Sequence, residues 1–148
     1  MRISVKARYG LGAMLYLAQY YAAQENIPVQ KISDSLGVSK IYLEQVFSLL
    51  RHAELVIATK GAQGGYRLIR PPQEITAYDI LFAIESSLFE ETEATFAESY
   101  SEIEEALQEN VFKKLDKTVK ETLEKITLAD LNSEVKEIQS NLGYMYYI

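Results

Sequence analysis

The sequence predicts a mainly α-helical chain with one small β-hairpin, followed by a long helix. Three observations lead to this fold class. Caps and breakers divide residues 4–52 into three short helices, two β-type runs flank a glycine-rich stretch, and an apolar stripe runs from 103 to 126. A chain of 148 residues that is 48% hydrophobic and 24% charged has the size and composition of one folded domain.

The first helix is expected to begin after Ser4, which suits the N-cap, and its apolar pattern extends to about Ala23. Gly10 and Gly12 lie inside this helix, where each glycine costs up to about 1 kcal/mol relative to alanine. We therefore expect another backbone to approach the helix closely at these positions.

The next two helices are predicted over 30–36 and from 40 to about 52, joined by a tight turn. Gly37 suits the left-handed position after a helix, and Ser39 suits the N-cap of the following one. Apolar residues on both sides of the turn favour a helix-turn-helix. An ordinary corner between two helices fits this part of the sequence equally well.

The glycine-rich stretch that follows removes this ambiguity. Two β-type runs, 55–59 and 66–69, flank Lys60 and the glycines that end at Gly65. A helix-turn-helix followed directly by such a hairpin is a winged helix. A nucleotide-binding phosphate loop is not favoured, because that loop leads into a helix and this one leads into a strand.

The second half of the chain is predicted to be helical. Thr76 caps a short helix, an acidic loop spans 85–100, and a long helix covers 101–126. Thr127 caps a final helix that is expected to stop at Gly143, before an aromatic tail.

The long helix carries an apolar stripe for which the sequence offers no intrachain partner. About 25 helical residues span roughly 38 Å, more than the first region needs for its own core. Such a stripe usually packs against a second copy of the chain. The predicted homodimer interface consists of Ile103, Leu107, Val111, Leu115, Val119, Leu123 and Ile126.

Charge is divided unequally along the chain. Residues 1–70 carry nine Lys or Arg against four Asp or Glu, a net charge of +5, and residues 71–148 carry six against 17, a net charge of −11. The difference indicates a basic surface for a polyanion. We divide the chain into a winged helix-turn-helix region at 1–72 and a helical dimerisation or regulatory region at 73–148.

The residues of the first region suit double-stranded DNA. Gln45 can read adenine in the major groove, and Glu44 can accept from a cytosine amino group or repel a wrong base. Tyr42 either faces the duplex or packs against the first helix, and Lys60 suits a narrow minor groove. The predicted DNA-binding residues are Arg2, Ser4, Lys6, Arg8, Tyr9, Ser39, Lys40, Tyr42, Glu44, Gln45, Lys60, Gly61, Gly64, Gly65 and Tyr66.

The sequence also excludes several classes of function. It contains no cysteine, which excludes disulfides, thiolate zinc sites, cysteine-ligated iron–sulfur clusters and a catalytic thiol. Its one histidine, His52, belongs to no Ser/His/Asp pattern, so we expect no enzyme and no cofactor. The carboxylates of Glu90, Glu91 and Glu93 could bind a cation, but they lack regular ligand spacing, so a solvated acidic loop is the expectation. No apolar run reaches the roughly 20 residues of a membrane span, and a soluble cytoplasmic protein is expected.

Over essentially its whole length the sequence resembles the Rrf-two family of bacterial transcriptional regulators. The likeness is carried by RISVKARYG at 2–10, SKIYLEQVF at 39–47, GAQGGYRL at 61–68, ITAYDI at 75–80 and TLADL at 127–131. This resemblance implies a sequence-specific DNA-binding protein. Together with the predicted dimer, it implies a repressor that binds a pseudo-palindromic operator.

The chain departs from the family pattern in ways that bear on its signal. Iron–sulfur members carry three cysteines ahead of the dimerisation helix and this chain has none, so cluster-based sensing does not carry over. Glu54 stands where the family often has glycine, and Lys60 where it often has arginine. The ending YMYYI at 144–148 is similar to the cluster-free branch concerned with cysteine metabolism. That likeness implies control of sulfur genes and an enzyme of cysteine synthesis as signal partner.

A winged-helix module that binds protein instead of DNA is the alternative interpretation. The acidic loop and the aromatic tail suit a protein partner, but they leave the basic half unexplained. Salt-dependent binding to duplex DNA separates the two interpretations.

Overall fold

The secondary structure follows the predicted order of elements. In the computed structural model, which describes residues 1–146, three helices come first: α1 (Val5–Ala18), α2 (Val29–Leu36) and α3 (Lys40–His52). The antiparallel strands β1 (Val56–Thr59) and β2 (Gly65–Leu68) form the hairpin. The remaining elements are a 3-10 turn (Pro72–Glu74), α4 (Ala77–Ile84), 3-10 turns at Ser86–Phe89 and Glu98–Tyr100, α5 (Ser101–Leu107), a π-helical turn (Gln108–Phe112), α6 (Lys113–Glu124) and α7 (Leu128–Tyr146).

Side-chain caps begin α1, α4 and α7 where the sequence predicts them, as Ser39 does for α3. The hydroxyls of Ser4, Thr76 and Thr127 each accept a hydrogen bond of 3.1 Å from the amide three residues further on. The carboxylates of Asp79 and Asp130 in turn accept a hydrogen bond from the amides of Thr76 and Thr127, at 2.9 and 3.1 Å. Both helices therefore start with a capping box.

One hydrophobic core joins the two halves of the chain. It is built from α1 to α3 and the hairpin, and it also includes Ile75, Ile80 and Leu128 from beyond residue 72. Backbone bonds from Ala77 N to Ile126 O (2.8 Å) and from Leu128 N to Ile75 O (2.9 Å) hold the starts of α4 and α7 side by side. The winged helix is thus completed by residues of the second half.

The two glycines of α1 have different surroundings. A Cβ on Gly10 would lie 1.8 Å from Cδ1 of Ile84, at the end of α4. The space beside Gly10 is therefore occupied by the side chain of Ile84. The sequence led us to expect a neighbouring backbone there. A Cβ on Gly12 would meet only Cδ1 of Leu36, at an ordinary 3.9 Å.

α1 and α7 end elsewhere than predicted. α1 stops at Ala18 instead of Ala23, because tighter i→i+3 turns follow and Gln24 adopts a left-handed φ of 54°. α7 continues through Gly143, where no other group crowds the backbone. A glycine costs a helix only about 1 kcal/mol, so it does not by itself stop one. Of the predicted aromatic tail, residues 147–148 lie outside the described residues.

The long helix begins at Ser101 as expected and ends at Glu124, so Ile126 follows it instead of belonging to it. Its middle is the π-helical turn, which the sequence analysis did not predict. Residues spaced by four move gradually around an α-helix, because one turn takes only 3.6 residues. A π turn contains more residues per turn, so it partly returns the apolar stripe to one face. Among residues 1–146, no helix is both long enough and apolar enough to cross a membrane.

Candidate nucleic-acid interface

The turn between α2 and α3 is braced from within. Gly37 adopts the predicted left-handed conformation, with φ 67° and ψ 37°. The buried hydroxyl of Ser33 donates to the carbonyl of Val38 at 2.6 Å, and Oγ of Ser39 accepts from the amide of Tyr42 at 3.3 Å. These bonds fix the direction in which α3 leaves the turn.

α3 has one buried face and one exposed polar face. The buried face inserts Leu43, Val46, Phe47 and Leu50 into the core. The exposed residues of its first three turns are Lys40, Ile41, Glu44, Gln45 and Ser48. The predicted base-reading side chains, Glu44 and Gln45, are therefore free to meet a groove of DNA.

An aromatic contact joins α1 to α3. The rings of Tyr9 and Tyr42 meet edge to face, with centroids 5.4 Å apart and an interplanar angle of 85°. Of the two interpretations of Tyr42, this contact supports packing against the first helix. It also holds the basic N-terminal part of the chain, where Arg2 and Arg8 are exposed, beside α3, the predicted recognition helix.

The hydroxyl of Ser4 is engaged within the chain. It accepts from the amide of Ala7 at 3.1 Å and donates to Oε2 of Glu85 at 2.8 Å. Glu85 is the residue at which the acidic loop begins. Ser4 therefore links the first turn of α1 to that loop, a contact that the sequence analysis did not predict.

The glycines of the hairpin allow a close backbone approach. A Cβ on Gly65, whose φ is 148°, would lie 2.4 Å from the carbonyl of Ile27, and one on Gly64 would lie 2.3 Å from the carbonyl of Thr59. The ring of Tyr66 stacks on Phe47 of α3 at 4.3 Å. Tyr66 therefore holds the wing against α3, Gly65 lets it approach the segment before α2, and Gly64 lets the hairpin turn tightly. Lys60 and Gly61 are exposed at the tip of the wing.

The cations of this surface are not neutralised by carboxylates. Within residues 1–146, the ion pairs are Arg70–Asp79 at 3.5 Å and three pairs along the π turn and α6. None of those pairs includes the predicted DNA-binding cations, which are Arg2, Lys6, Arg8, Lys40 and Lys60. Their positive charge is therefore available to phosphates.

An exposed recognition helix, a wing with a lysine at its tip and unneutralised cations define a winged-helix DNA-binding protein. Residues 3–134 match the Rrf2 family, which is described as an iron-dependent transcriptional regulator. The chain belongs to this family, and it is a DNA-binding transcriptional regulator and not an enzyme.

Individual relatives agree with the family match. The chain is 36% identical over 148 residues to the HTH-type transcriptional regulator CymR of Bacillus subtilis (strain 168), covering 100% of both chains. Among solved structures, IscR of T. potens matches with a TM-score of 0.74 and 37% identity, covering 99% of this chain and 97% of that one. CymR (YrzC), the global cysteine regulator of B. subtilis, matches with a TM-score of 0.74 and 34% identity, covering 90% and 98%.

The iron in the family description does not fit the residues of this chain. A cluster held by cysteines needs thiolates, and the sequence has no cysteine. Among residues 1–146, no three His, Cys, Asp or Glu side chains gather in a way that would hold a metal ion. The alternative cation site at Glu90, Glu91 and Glu93 is therefore not formed.

Two residues on the exposed face of α3, Ile41 and Ser48, are not among the predicted DNA-binding residues. Ile41 is 71% exposed, and Ser48 is exposed one turn beyond Gln45. The signal was present in the sequence: when the apolar residues at 43, 46, 47 and 50 point inward, the helical period turns 41, 45 and 48 outward.

Proposed function

We propose that the protein is a homodimeric repressor that binds a pseudo-palindromic operator, with one α3 helix in the major groove of each half-site. The observation that carries this proposal is the exposed, largely polar face of α3 beside cations that pair with no carboxylate among residues 1–146. The protein acts where bacterial DNA lies, in the cytoplasm.

The DNA contacts divide into phosphate contacts and base contacts. Ser39 and Lys40 at the start of α3 bind phosphates, together with Arg2 ahead of α1 and Lys6 and Arg8 on it. Gln45 and Glu44 contact base edges, and Lys60 and Gly61 enter the minor groove. The remaining site residues position these groups: Ser4, Tyr9, Tyr42, Gly64, Gly65 and Tyr66.

We assign dimerisation to residues 73–148 and DNA binding to residues 1–72. Support for the dimer comes from the apolar side chains that the long helix leaves uncovered, since Ile103, Val111 and Leu115 are 49%, 47% and 55% exposed. Apolar surface of this kind on a helix is typical of an interface. Leu107, Val119, Leu123 and Ile126 extend the same interface and are half-buried in the single chain.

Genes of cysteine and sulfur metabolism are the proposed targets. Support comes from the full-length similarity to CymR and from the solved structure of a global cysteine regulator. An enzyme of cysteine synthesis is the proposed signal partner. The test is footprinting of the promoter of the protein's own gene and of sulfur-acquisition promoters, and protection of none of the latter would contradict this assignment.

The DNA-binding assignment is tested by separating specificity from affinity. Gln45→Ala should cost about 1–3 kcal/mol on the footprinted site and little on a scrambled duplex, because it removes one base contact. Fluorescence anisotropy with both duplexes measures the difference. Gln73→Ala, at an exposed glutamine beyond the wing, is the matched control. Equal losses on both duplexes would remove Gln45 as a reader.

Phosphate contacts should behave differently in the same assay. Lys6→Ala should weaken both duplexes about equally and lower the salt dependence by roughly one ion. Lys60→Ala should weaken A/T-flanked sites most, because a narrow minor groove attracts its charge. Lys114→Ala, at an exposed lysine of α6, is the control. Unchanged binding by both Lys6→Ala and Lys60→Ala would contradict the assignment of this basic surface.

We further propose that DNA binding is independent of iron, because the chain lacks the thiolates of a cluster. Protein purified anaerobically should show no visible iron–sulfur absorption, and an iron chelator should leave its DNA affinity unchanged. Stoichiometric iron in such a preparation would contradict this.

A further inference from the structure

Ile41 is a large apolar side chain that the fold leaves in solvent. It is 71% exposed in the first turn of α3, although the opposite face of the same helix is fully buried. A β-branched residue is also a weaker helix former than the lysine, glutamate and glutamine around it. Ile41 therefore contributes little to the stability of the free protein.

The position of Ile41 is central in the exposed face of α3. Ile41, Gln45 and Ser48 follow one another at i, i+4 and i+7, so they form one row along the helix. A recognition helix presents residues of its N-terminal turns to the base edges. Ile41 would then lie at the same depth in the groove as Gln45, on which the proposed base reading rests.

The chemistry of the major groove leaves one partner for such a side chain. Adenine, guanine and cytosine present hydrogen-bonding groups there, which an isoleucine would desolvate without replacing their bonds. Thymine alone presents a methyl group. We propose that Ile41 recognises the C5-methyl group of a thymine in each half-site of the operator, an inference that rests on the proposed DNA-binding role of α3.

The proposal predicts a coupling between one side chain and one methyl group. In the footprinted operator, each thymine is replaced in turn by deoxyuridine, which removes only the methyl group. For the full-length parent protein, we expect one thymine position in each half-site to be sensitive. Replacing that thymine alone should weaken binding by about fourfold, the equivalent of about 0.8 kcal/mol for one buried methyl. In Ile41→Ala the same replacement should change the affinity by less than about 1.5-fold.

Two further variants separate recognition from general effects. Ile41→Val keeps a branched apolar side chain and should retain most of the thymine dependence. Ile69→Ala removes an isoleucine that is 47% exposed at the base of the wing, and it should respond to deoxyuridine like the parent. Thermal unfolding checks that Ile41→Ala is folded.

The outcomes distinguish this inference from the function on which it rests. If the parent prefers the operator over a scrambled duplex but every deoxyuridine replacement affects parent and Ile41→Ala equally, the inference is overturned and the DNA-binding role stands. Ile41 would then be a solvated residue or a contact for another protein. If the parent shows no preference for any duplex, both fail together.

Discussion

The first three helices and the long helix of this chain use apolar residues in opposite ways. α1 buries six of its 14 residues, and its neighbours α2 and α3 pack on the same core. The 24 residues from Ser101 to Glu124 include no buried residue at all, although an apolar stripe runs along them. One region is folded onto itself, and the other displays its apolar side chains.

This difference is what supports the proposed dimer, because the apolar residues of the long helix are left for a partner to cover. The DNA-binding surface needs a rigid support, and the core beneath α3 supplies it. The long helix is stabilised by its backbone bonds and by surface ion pairs such as Lys117–Glu121 at 3.8 Å, each worth only a few tenths of a kcal/mol. A helix of this kind is well suited to an interface in which a partner covers the stripe.

The largest expected effect comes from breaking that interface. Leu115→Lys places a charge in the proposed seam, where its burial without a partner should cost several kcal/mol of association. Leu115 is 55% exposed in the single chain, so the fold should survive. Sedimentation should show a monomer, and circular dichroism an unchanged helical content.

Glu124→Lys is the control for this variant. It lies nine residues further on, about half a turn away from Leu115 around the helix at about 100° per residue, and it should leave the dimer intact. A Leu115→Lys protein that sediments like the parent would place the seam elsewhere.

The elements of the first region were predictable because their signals are local. Gly37 and Ser39 mark the turn, and two β-type runs around a glycine-rich loop mark the wing, so neither prediction requires knowledge of distant parts of the chain. The helix caps at Thr76 and Thr127 are local in the same sense.

What escaped prediction depends on contacts between distant residues. The bond between Ser4 and Glu85 joins positions 81 residues apart. The space that Gly10 leaves is filled by Ile84, and the ring of Tyr42 had two interpretations until Tyr9 was placed beside it. The π turn helps to keep the apolar stripe on one face over the whole length of the long helix. That effect depends on many turns together, so no single turn of the sequence predicts it.

The join between the two regions gives the next largest effect. Gly10→Ala puts a methyl group 1.8 Å from Cδ1 of Ile84, with Cγ1 of Val46 at 3.4 Å, so the side chain of Ile84 must move. We expect a loss of about 1–3 kcal/mol in the free energy of unfolding. Gly12→Ala meets only an ordinary contact and should gain up to about 1 kcal/mol from helix propensity. Urea denaturation of both variants measures the contrast, and two similar results would show that α4 is not held against α1 as described.

A smaller effect tests backbone strain within the first region. Glu54 follows α3 with a left-handed φ of 58° and an exposed side chain. Glycine adopts this conformation without strain but loses more entropy on folding. Glu54→Gly should therefore raise stability by a net of about 0.5–1 kcal/mol, seen as a higher Tm. Glu25→Gly, at an exposed residue with no left-handed φ, is the control and should give no gain. A lower Tm for Glu54→Gly would contradict the argument.

The smallest effect concerns the acidic loop, which is bonded to the long helix by the carboxylate of Glu104 and by Nε2 of Gln108, which donates to the carbonyl of Thr92 at 2.8 Å. Glu104 of α5 accepts from the amides of Thr95 and Phe96 at 3.0 and 3.2 Å, and these bonds, with one from Gln108, lower the pKa of its carboxyl. Because this pKa is lowered, the bonds from Thr95 and Phe96 to the Glu104 carboxylate are present at neutral pH. They are lost as the pH falls through the folded-state pKa, which lies below the ordinary value of about 4.3. The amide resonances of Thr95 and Phe96, followed by NMR from pH 7 downward, should shift with that midpoint.

Glu104→Gln should abolish the transition, and Glu105→Gln, at the exposed neighbouring glutamate, should preserve it. A transition that survives in Glu104→Gln would assign the attachment of the loop to another group.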